Sequence, residues 1–377
     1  MTRFFQSCAR ALAALPMTAA LLAGQVGVPS DNTAYGTTAG EFLLLGAGAR
    51  GLALGGAFAA LTTDVSALYY NPAGLAQLPH GSAMVASNRY VADTKYTWAG
   101  LAIPVGGGTR AFGVQLGNFG FSDQPIYTVE QPNGTGGTYG VSETFVGASY
   151  AQNFSDRFSA GVTAKFISDK LGQVSGTAMA MDFGTSFHTQ ALGGRLLRAS
   201  FVIQNLGTTL KHSGVPLDAT TPRPPVPGQV DVPQENQPAA LKAKDWGLPV
   251  LFRVGVALDA LSQDLAKLTV LSEFTQPNNS RPGFSLGGEF TLSDIGKSGF
   301  YVVGRGSYAY QSDNNLDVGS GAGFATTLGG QENRDGLAGG FGVGYKRPTG
   351  FGMGFDYAYR SLGVLGGTNT FSFSVNW

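Results

Sequence analysis

The sequence predicts an all-β protein: a transmembrane, antiparallel, up-and-down β-barrel of about 14 strands with a short helical N-terminal plug in the lumen. Three observations carry this prediction. Segments of about ten residues alternate apolar and polar side chains from residue 81 onward. Charged residues are only 13% of the chain, about half the usual share, whereas glycine supplies 57 of 377 residues, about double the usual rate. After residue 24, no apolar run approaches the ~18 residues that a membrane-spanning helix needs.

The strands are predicted from the alternation. In the last segment Phe371, Phe373 and Trp377 share one face, and polar side chains take the other. The first two segments are the least regular, because Tyr96 and Trp98 share one face with Gly100 while Leu101 and Ile103 take the other face. The predicted strands cover residues 83–92, 94–105, 110–120, 142–152, 157–169, 176–189, 196–206, 249–260, 265–276, 282–293, 298–310, 337–347, 349–360 and 369–377.

The lengths of the connections support an even number of strands. With the first strand running outward, every connection at the periplasmic end is short, and the three longest, 121–141, 207–248 and 311–336, are external. The long loop 207–248 contains a proline-rich stretch, 221–238, which we expect not to pair as strand because proline lacks the backbone donor. This stretch is interpreted either as a solvated polyproline-like loop or as a docking surface for a partner.

Residues 1–24 have the features of a secretory signal peptide, residues 25–80 are assigned to the plug, and residues 81–377 form the barrel. Arg3 and Arg10 make a basic start, and an apolar run follows over 11–23. The single cysteine, Cys8, lies in the signal, so the mature chain has no disulfide framework. Lys and Arg together number 24, as do Asp and Glu, and this balance argues against binding of nucleic acid.

The segment 41–78 is the only long mature stretch without alternation. Small residues recur four apart, as at Gly51 and Gly55, which predicts a helix with one smooth face that another backbone can approach. Asp64 is placed to cap a second short helix over 65–70, which Asn71 and Pro72 would end. The segment is apolar enough that we expect it to lie inside the barrel rather than in water.

Candidates for chemistry are few. The stretch Gly46 to Gly51 matches G-x-G-x-x-G, but alternating strands follow it instead of the βαβ unit that dinucleotide binding requires. The chain has three histidines, no G-x-S-x-G motif and no cluster of metal ligands. We therefore expect a protein that is not an enzyme and that has neither a cofactor nor a transition-metal site. A Ca²⁺ site in the external stretch 313–317 is a weaker alternative.

The polar faces of the strands carry charges of both signs. They are interpreted either as a salt-bridged lumen that holds the plug or as a lining that selects a permeant. The candidates predicted to face the lumen are Lys165, Asp182, Arg253, Glu273, Glu289, Arg305, Asp356 and Arg360.

The stretch from Glu41 to Ala76 resembles the N-terminal signature of the PorV/PorQ family, outer-membrane barrels related to the fatty-acid transporter FadL. The end of the chain resembles the terminal aromatic signal that outer-membrane assembly machinery recognises. This resemblance implies a fourteen-stranded barrel with an N-terminal hatch. The residues that carry it are, in the plug, Gly46, Gly48, Gly51, Gly55, Gly56, Asp64, Asn71, Pro72, Ala73 and Gly74, and, in the assembly signal, Phe371, Phe373 and Trp377.

The function expected from these features is that of a non-enzymatic barrel in the outer membrane of a Gram-negative-type bacterium. As the resemblance implies, it would handle a hydrophobic compound or an exported protein, as barrels associated with type IX secretion do. The alternative is a FadL-type uptake channel for hydrophobic solutes such as long-chain fatty acids, and a barrel enzyme is a third, weaker candidate. Expected partners are outer-membrane lipid and the barrel assembly machinery, with no nucleic acid and a monomeric barrel.

Overall fold

The computed structural model describes residues 36–191, 193–222, 236–311, 336–347 and 350–377. The predicted signal peptide, residues 25–35 of the predicted plug, most of the proline-rich stretch and the candidate Ca²⁺ stretch 313–317 lie outside the described residues. Within the described ranges, no helix is long and apolar enough to cross a membrane.

Fourteen strands of the described chain close into one antiparallel barrel, as the alternation predicts. In chain order each barrel strand pairs with the next, including the two strands on either side of the long loop 208–250, and the last strand pairs with the first to close the ring. The barrel strands are β1 (Ser82–Arg89), β2 (Lys95–Val105), β3 (Arg110–Pro125), β4 (Thr138–Ser155), β5 (Phe158–Leu171), β6 (Val174–Ala191), β7 (Arg195–Gly207), β10 (Leu251–Ser262), β11 (Ala266–Pro277), β12 (Gly283–Ile295), β13 (Phe300–Gln311), β14 (Leu337–Lys346), β15 (Gly352–Ser361) and β16 (Gly367–Asn376).

The two ends of the barrel differ in their connections. Short turns join β2 to β3, β4 to β5, β6 to β7, β10 to β11, β12 to β13 and β14 to β15, and this end is called the turn end. The opposite, loop end carries the long connections, including 208–250. The largest deviation from the predicted bounds is at this end, where β3 and β4 continue past an irregularity between Phe121 and Gln124.

The long loop contains a two-stranded sheet that the sequence reasoning excluded. Strand β8 (Asp218–Pro222) pairs with β9 (Asn236–Ala240), so the expectation that the proline-rich stretch does not pair was wrong at both of its ends. Pro222 lies opposite Asn236, and Pro238 lies opposite Thr220. Each strand of a two-stranded sheet has a free edge, and edge strands tolerate proline because no donor is needed there.

The N-terminal segment, residues 36–80, consists of four short helical pieces, and the first predicted helix is shorter than the spacing of its small residues requires. These are 3₁₀ turns at Glu41–Leu44 and Pro72–Gln77 and α-helices at Ala49–Ala53 and Ala67–Tyr70. The first α-helix ends because Gly55 and Gly56 adopt left-handed φ angles of 65° and 79°. Their N–H groups donate to the carbonyls of Leu52 and Gly51, which is a Schellman termination. The small residues four apart therefore do not share one helix face.

The second α-helix lies where the sequence placed it but is shorter. The carboxylate of Asp64 accepts a 2.8 Å hydrogen bond from the N–H of Ser66, the residue before the helix. The helix ends at Asn71, which is extended, as expected for a residue before proline. The Asn71 side chain then caps the 3₁₀ turn by accepting from the N–H of Ala73 at 3.1 Å.

The N-terminal segment runs through the inside of the ring from the loop end to the turn end. At the loop end, the N–H of Ala39 donates to the carbonyl of Gly247 at 2.9 Å. Near the turn end, the amide of Asn153 donates to the carbonyl of Ala76 at 2.8 Å. The helix Ala49–Ala53 contacts β13 to β16, and the turn Pro72–Gln77 contacts β2 to β6. The hydrophobic core, with fully buried Phe58, Leu68 and Trp98, therefore lies inside the barrel.

The outside of the barrel is apolar. Large side chains on outward positions of the strands are 37–64% exposed, among them Phe112, Leu116, Phe166, Phe183, Val256, Phe290, Phe341, Phe355, Phe371 and Phe373. Strand β2 departs from this rule, since Trp98 is buried inside while Leu101 and Ile103 face out. This explains why β2 was irregular in sequence: it is apolar on both faces because its inner face packs on the N-terminal segment.

Candidate functional site

Two neighbouring cavities lie at the loop end of the lumen, between the N-terminal segment and the wall. The larger has a volume of about 830 Å³ and the smaller about 400 Å³. Leu44, Leu45 and Leu52 of the N-terminal segment line both. Leu362 and Glu41 also line both, so the shared lining is largely apolar with one carboxylate.

Arg360 lines both cavities and differs from the other lumen cations. Within the part of the chain that the structure describes, its half-buried guanidinium makes no ion pair or hydrogen bond. Arg253, which lines only the larger cavity, is instead paired with Glu273 at 2.9 Å. The carboxylate of Glu143 lines the smaller cavity. The cavities therefore combine leucine side chains and the carboxylates of Glu41 and Glu143 with one guanidinium whose hydrogen-bond donors have no partner among the described residues.

A chain of five charged side chains ties the N-terminal segment to the wall. Arg50 makes a bidentate contact with Glu289, at 2.8 and 2.7 Å, and a 2.7 Å contact with Asp64. Glu289 also accepts from Arg305 at 2.7 Å, and Arg305 donates to Asp356 at 2.6 Å. Burial opposes the charge on Arg50, but Glu289 and Asp64 outweigh it and raise the pKa of its guanidinium above the ordinary value. Arg50 is therefore held as a cation.

A second cluster binds the backbone of the N-terminal segment. Arg253 donates to the carbonyl of Gly56 at 3.0 Å, and Glu273 accepts from the N–H of Ala59 at 2.8 Å. Gln204 accepts from Arg253 at 2.9 Å and donates to the carbonyl of Tyr69. These contacts give hydrogen-bond partners to backbone groups of the N-terminal segment, which is too irregular to pair all of its backbone groups internally.

The other predicted lumen charges lie inside the wall, away from the cavities. Lys165 and Asp182 are fully buried and 2.6 Å apart. Both also contact Asn205, whose left-handed φ of 61° coincides with a register shift between β6 and β7. This ion pair therefore stabilises the register shift between β6 and β7 and does not line either cavity.

The motif glycines let backbone and side chains approach closely. A Cβ on Gly51 would lie 2.5 Å from ring atoms of Tyr70, and one on Gly46 would lie 2.8 Å from Leu52. Gly74 faces Thr62 at similarly short range, and wall residue Gly161 lies against the backbone of Pro72. Burial raises the pKa of the Tyr70 phenol, so Tyr70 packs as a neutral ring. The motif therefore specifies close packing of the N-terminal segment on itself and on the wall.

Sequence reasoning missed several residues of this site. Arg50 is the central one, and its signal was available: a lone charge in an otherwise apolar stretch needs a buried partner. Gln204 and Gln115, which donate to backbone carbonyls of Tyr69 and Leu68, gave no signal, because polar residues on an inward strand face are ordinary.

In the described ranges no group of three His, Cys, Asp or Glu side chains is placed to hold a metal ion.

Comparison with known proteins shows the fold. No protein-family model and no curated protein matches the chain. The structure is similar to the toluene transporter TbuX of Ralstonia pickettii, with a TM-score of 0.51, 14% identity and coverage of 89% of this chain and 98% of that one. It is also similar to the monoaromatic hydrocarbon channel CymD, with a TM-score of 0.52 and 12% identity, and to the toluene transporter TodX of Pseudomonas putida, with a TM-score of 0.52 and 11% identity. Each of these two matches covers 88% of this chain and 97% of the other. The chain thus has the barrel fold of these proteins over nearly their whole length.

Proposed function

We propose that the protein is an outer-membrane barrel, related to FadL, that takes up a hydrophobic solute with an acidic group from the outer side. The observation that carries the proposal is the pair of cavities at the loop end. Leucines line them, and Arg360 lies there without an ion-pair partner among the described residues, while the carboxylate of Glu41 also lines both cavities. Barrels of similar fold are named as transporters of toluene and as a monoaromatic hydrocarbon channel, and these solutes are hydrophobic.

The outer surface supports placement in a membrane. Exposed Phe, Leu and Val side chains surround the barrel, and a protein in water rarely exposes so large an apolar surface. A closed ring leaves no unpaired strand edge, as the hydrocarbon layer demands. With the short turns in the periplasm, the loop end and its cavities face the outside.

The cation refines the class of solute. Toluene has no group that would repay the desolvation of a half-buried guanidinium, whereas a carboxylate accepts two of its hydrogen bonds. A long-chain fatty acid meets both requirements, with its chain on Leu44, Leu45 and Leu52 and its carboxylate on Arg360. The N-terminal segment fills the lumen below the cavities, so release to the periplasm requires part of this segment to move.

Binding of oleic acid, oleyl alcohol and toluene to the purified barrel tests the proposal. Oleic acid should bind in preference to oleyl alcohol, and Arg360→Met should abolish that preference with a loss of roughly 10- to 100-fold for the acid alone. Arg157→Met removes an exposed charge at the turn end and serves as the control. An Arg360→Met barrel that keeps the preference, or a wild-type barrel that binds none of the three, would overturn it.

A second candidate is the handling of an exported protein, as in the PorV/PorQ type. The resemblance over Glu41 to Ala76 favours it, and so do apolar side chains exposed at the loop end, including Val129, Val215 and Leu241. Shortening the loop across β8 and β9 should then release a co-purifying secreted protein and leave oleic acid binding intact. If the shortened barrel instead loses oleic acid binding and still retains the co-purifying secreted protein, the result would favour uptake of a solute over handling of an exported protein.

A further inference from the structure

Three successive outward rows of side chains cross strands β1 to β6. In each row the residues are direct cross-strand partners. The row nearest the turn end is entirely apolar: Val85, Ala99, Leu116, Val146, Phe166 and Met179. The next row carries only hydroxyl and amide groups: Ser87, Thr97, Asn118, Thr144, Ser168 and Thr177. The third row, nearest the loop end, has three cations among small residues: Arg89, Lys95, Gly120, Ser142, Lys170 and Ser175.

The cations of the third row have no internal partner. Arg89, Lys95 and Lys170 are exposed, and within the described residues none makes an ion pair or a side-chain hydrogen bond. Arg89 lies directly opposite Lys95, an arrangement that repels. None of the three rows contains a carboxylate, since Glu143 and Asp169 point into the lumen on the same strands. Two exposed acids lie at the same end, Asp93 in the β1–β2 turn and Asp123 within the irregularity of β3.

The same end of the opposite wall is built differently. Its outward positions carry Tyr308 and Tyr310 on β13 and Tyr359 on β15, each 40–51% exposed. Tyrosine at this level is what a membrane–water interface ordinarily selects. The cations are therefore a local feature of β1 to β6 and not a general property of the rim.

We propose that the outward face of β1 to β6 binds a phosphorylated lipid of the outer leaflet, with its acyl chains on the apolar row and its phosphate between the polar and cationic rows. Hydroxyl and amide groups offer neutral hydrogen bonds to the headgroup, and the cations supply the charge that phosphate attracts. The adjacent apolar row distinguishes a lipid from free phosphate, which has nothing to place there. The inference rests on the membrane placement proposed above but not on the transported solute.

Native mass spectrometry of the full-length barrel tests the inference, with bisphosphorylated lipid A and its dephosphorylated form as probes. The triple variant Arg89→Gln, Lys95→Gln, Lys170→Gln should bind bisphosphorylated lipid A roughly tenfold or more weakly than the wild type. The control variant Arg157→Gln, Lys297→Gln, Lys346→Gln removes the same formal charge at the turn end and should bind as the wild type does. Heat-modifiable gel mobility shows that each variant is folded, and its binding of oleic acid reports separately on the lumen site.

Four outcomes would overturn the inference: equal binding of both lipid forms by the wild type, undiminished binding by the triple variant, equal loss in the control, or complete displacement of the lipid by inorganic phosphate. The last result would identify a phosphate site without a lipid. Loss of lipid binding in the triple variant alone, with oleic acid binding retained, supports it. Failure of oleic acid to bind any variant would count against the proposed uptake function and leave the lipid site standing.

Discussion

The two sides of the lumen hold the N-terminal segment by different means. On the side of β1 to β6, buried Tyr96, Trp98 and Phe145 pack against it. On the side of β10 to β15, Arg253 and the chain of charges around Glu289 bind it. Apolar contact is non-directional and tolerates small shifts, whereas a buried ion pair is costly once one partner leaves. The larger cavity lies on the ionic side, so movement of the segment there has to break these ion pairs, whereas the apolar side permits small shifts at lower cost.

Removal of the whole N-terminal segment should have the largest effect on the barrel. A barrel of fourteen strands is wider than side chains alone can fill, so deletion of residues 41–78 should leave an open, water-filled pore. Planar-bilayer conductance measures this directly. Deletion of part of the long loop at the loop end, across β8 and β9, is the matched control and should leave the barrel closed. A barrel that stays closed after deletion of residues 41–78 would show that this segment does not close the lumen.

The ionic side is tested by Arg50→Met. The change leaves Asp64 without its cation and Glu289 with Arg305 alone, and removal of one partner from a buried ion pair costs about 3–5 kcal/mol. Urea unfolding in lipid vesicles should show a loss near the lower bound because Arg50 is part-buried. Lys211→Met in the exposed Lys211–Asp245 pair should cost less than about 1 kcal/mol. Similar losses in the two variants would mean that the chain of charges does not hold the segment.

The strands of the wall could be predicted from the sequence, whereas the course of the N-terminal segment could be predicted only in part, for a physical reason. A regular strand has a period of two, so the faces of Phe371 and Ser372 follow from position alone. The N-terminal segment has no period, and its course depends on Gly55 and Gly56 turning left-handed against a wall distant in sequence. Arg50 and Gln204 lie 154 residues apart by number, and no local pattern joins their roles.

The wall itself is tested at two adjacent residues of β12. Phe290 faces out and is 41% exposed, whereas Glu289 is buried inside. An outward charge near mid-membrane costs about 2–4 kcal/mol, so Phe290→Arg should destabilise the vesicle-embedded barrel by that amount. Phe290→Leu is the control and should be nearly neutral. Strong labelling of a cysteine at 290 by a membrane-impermeant reagent would reverse the assignment of faces.

The finest test concerns the join between the two helices of the N-terminal segment. Gly51 lies in the helix Ala49–Ala53, where alanine is intrinsically better than glycine by about 1 kcal/mol. Its Cβ, however, would lie 2.5 Å from the ring of Tyr70, and overpacking of this kind costs about 1–3 kcal/mol. Gly51→Ala should therefore destabilise the barrel slightly, by about 1 kcal/mol once the two effects are combined.

Gly304→Ala is the matched control for Gly51→Ala, because a Cβ on this outward strand position meets nothing within 4 Å. It should be neutral or slightly stabilising, since glycine weakens a strand. Pairing Gly51→Ala with Tyr70→Leu should recover part of the loss, because the smaller side chain leaves room for the added methyl group, and a double-mutant cycle measures that coupling. A Gly51→Ala barrel more stable than the wild type would mean that helix propensity outweighs the contact, and that the motif glycine is not there to admit the tyrosine ring.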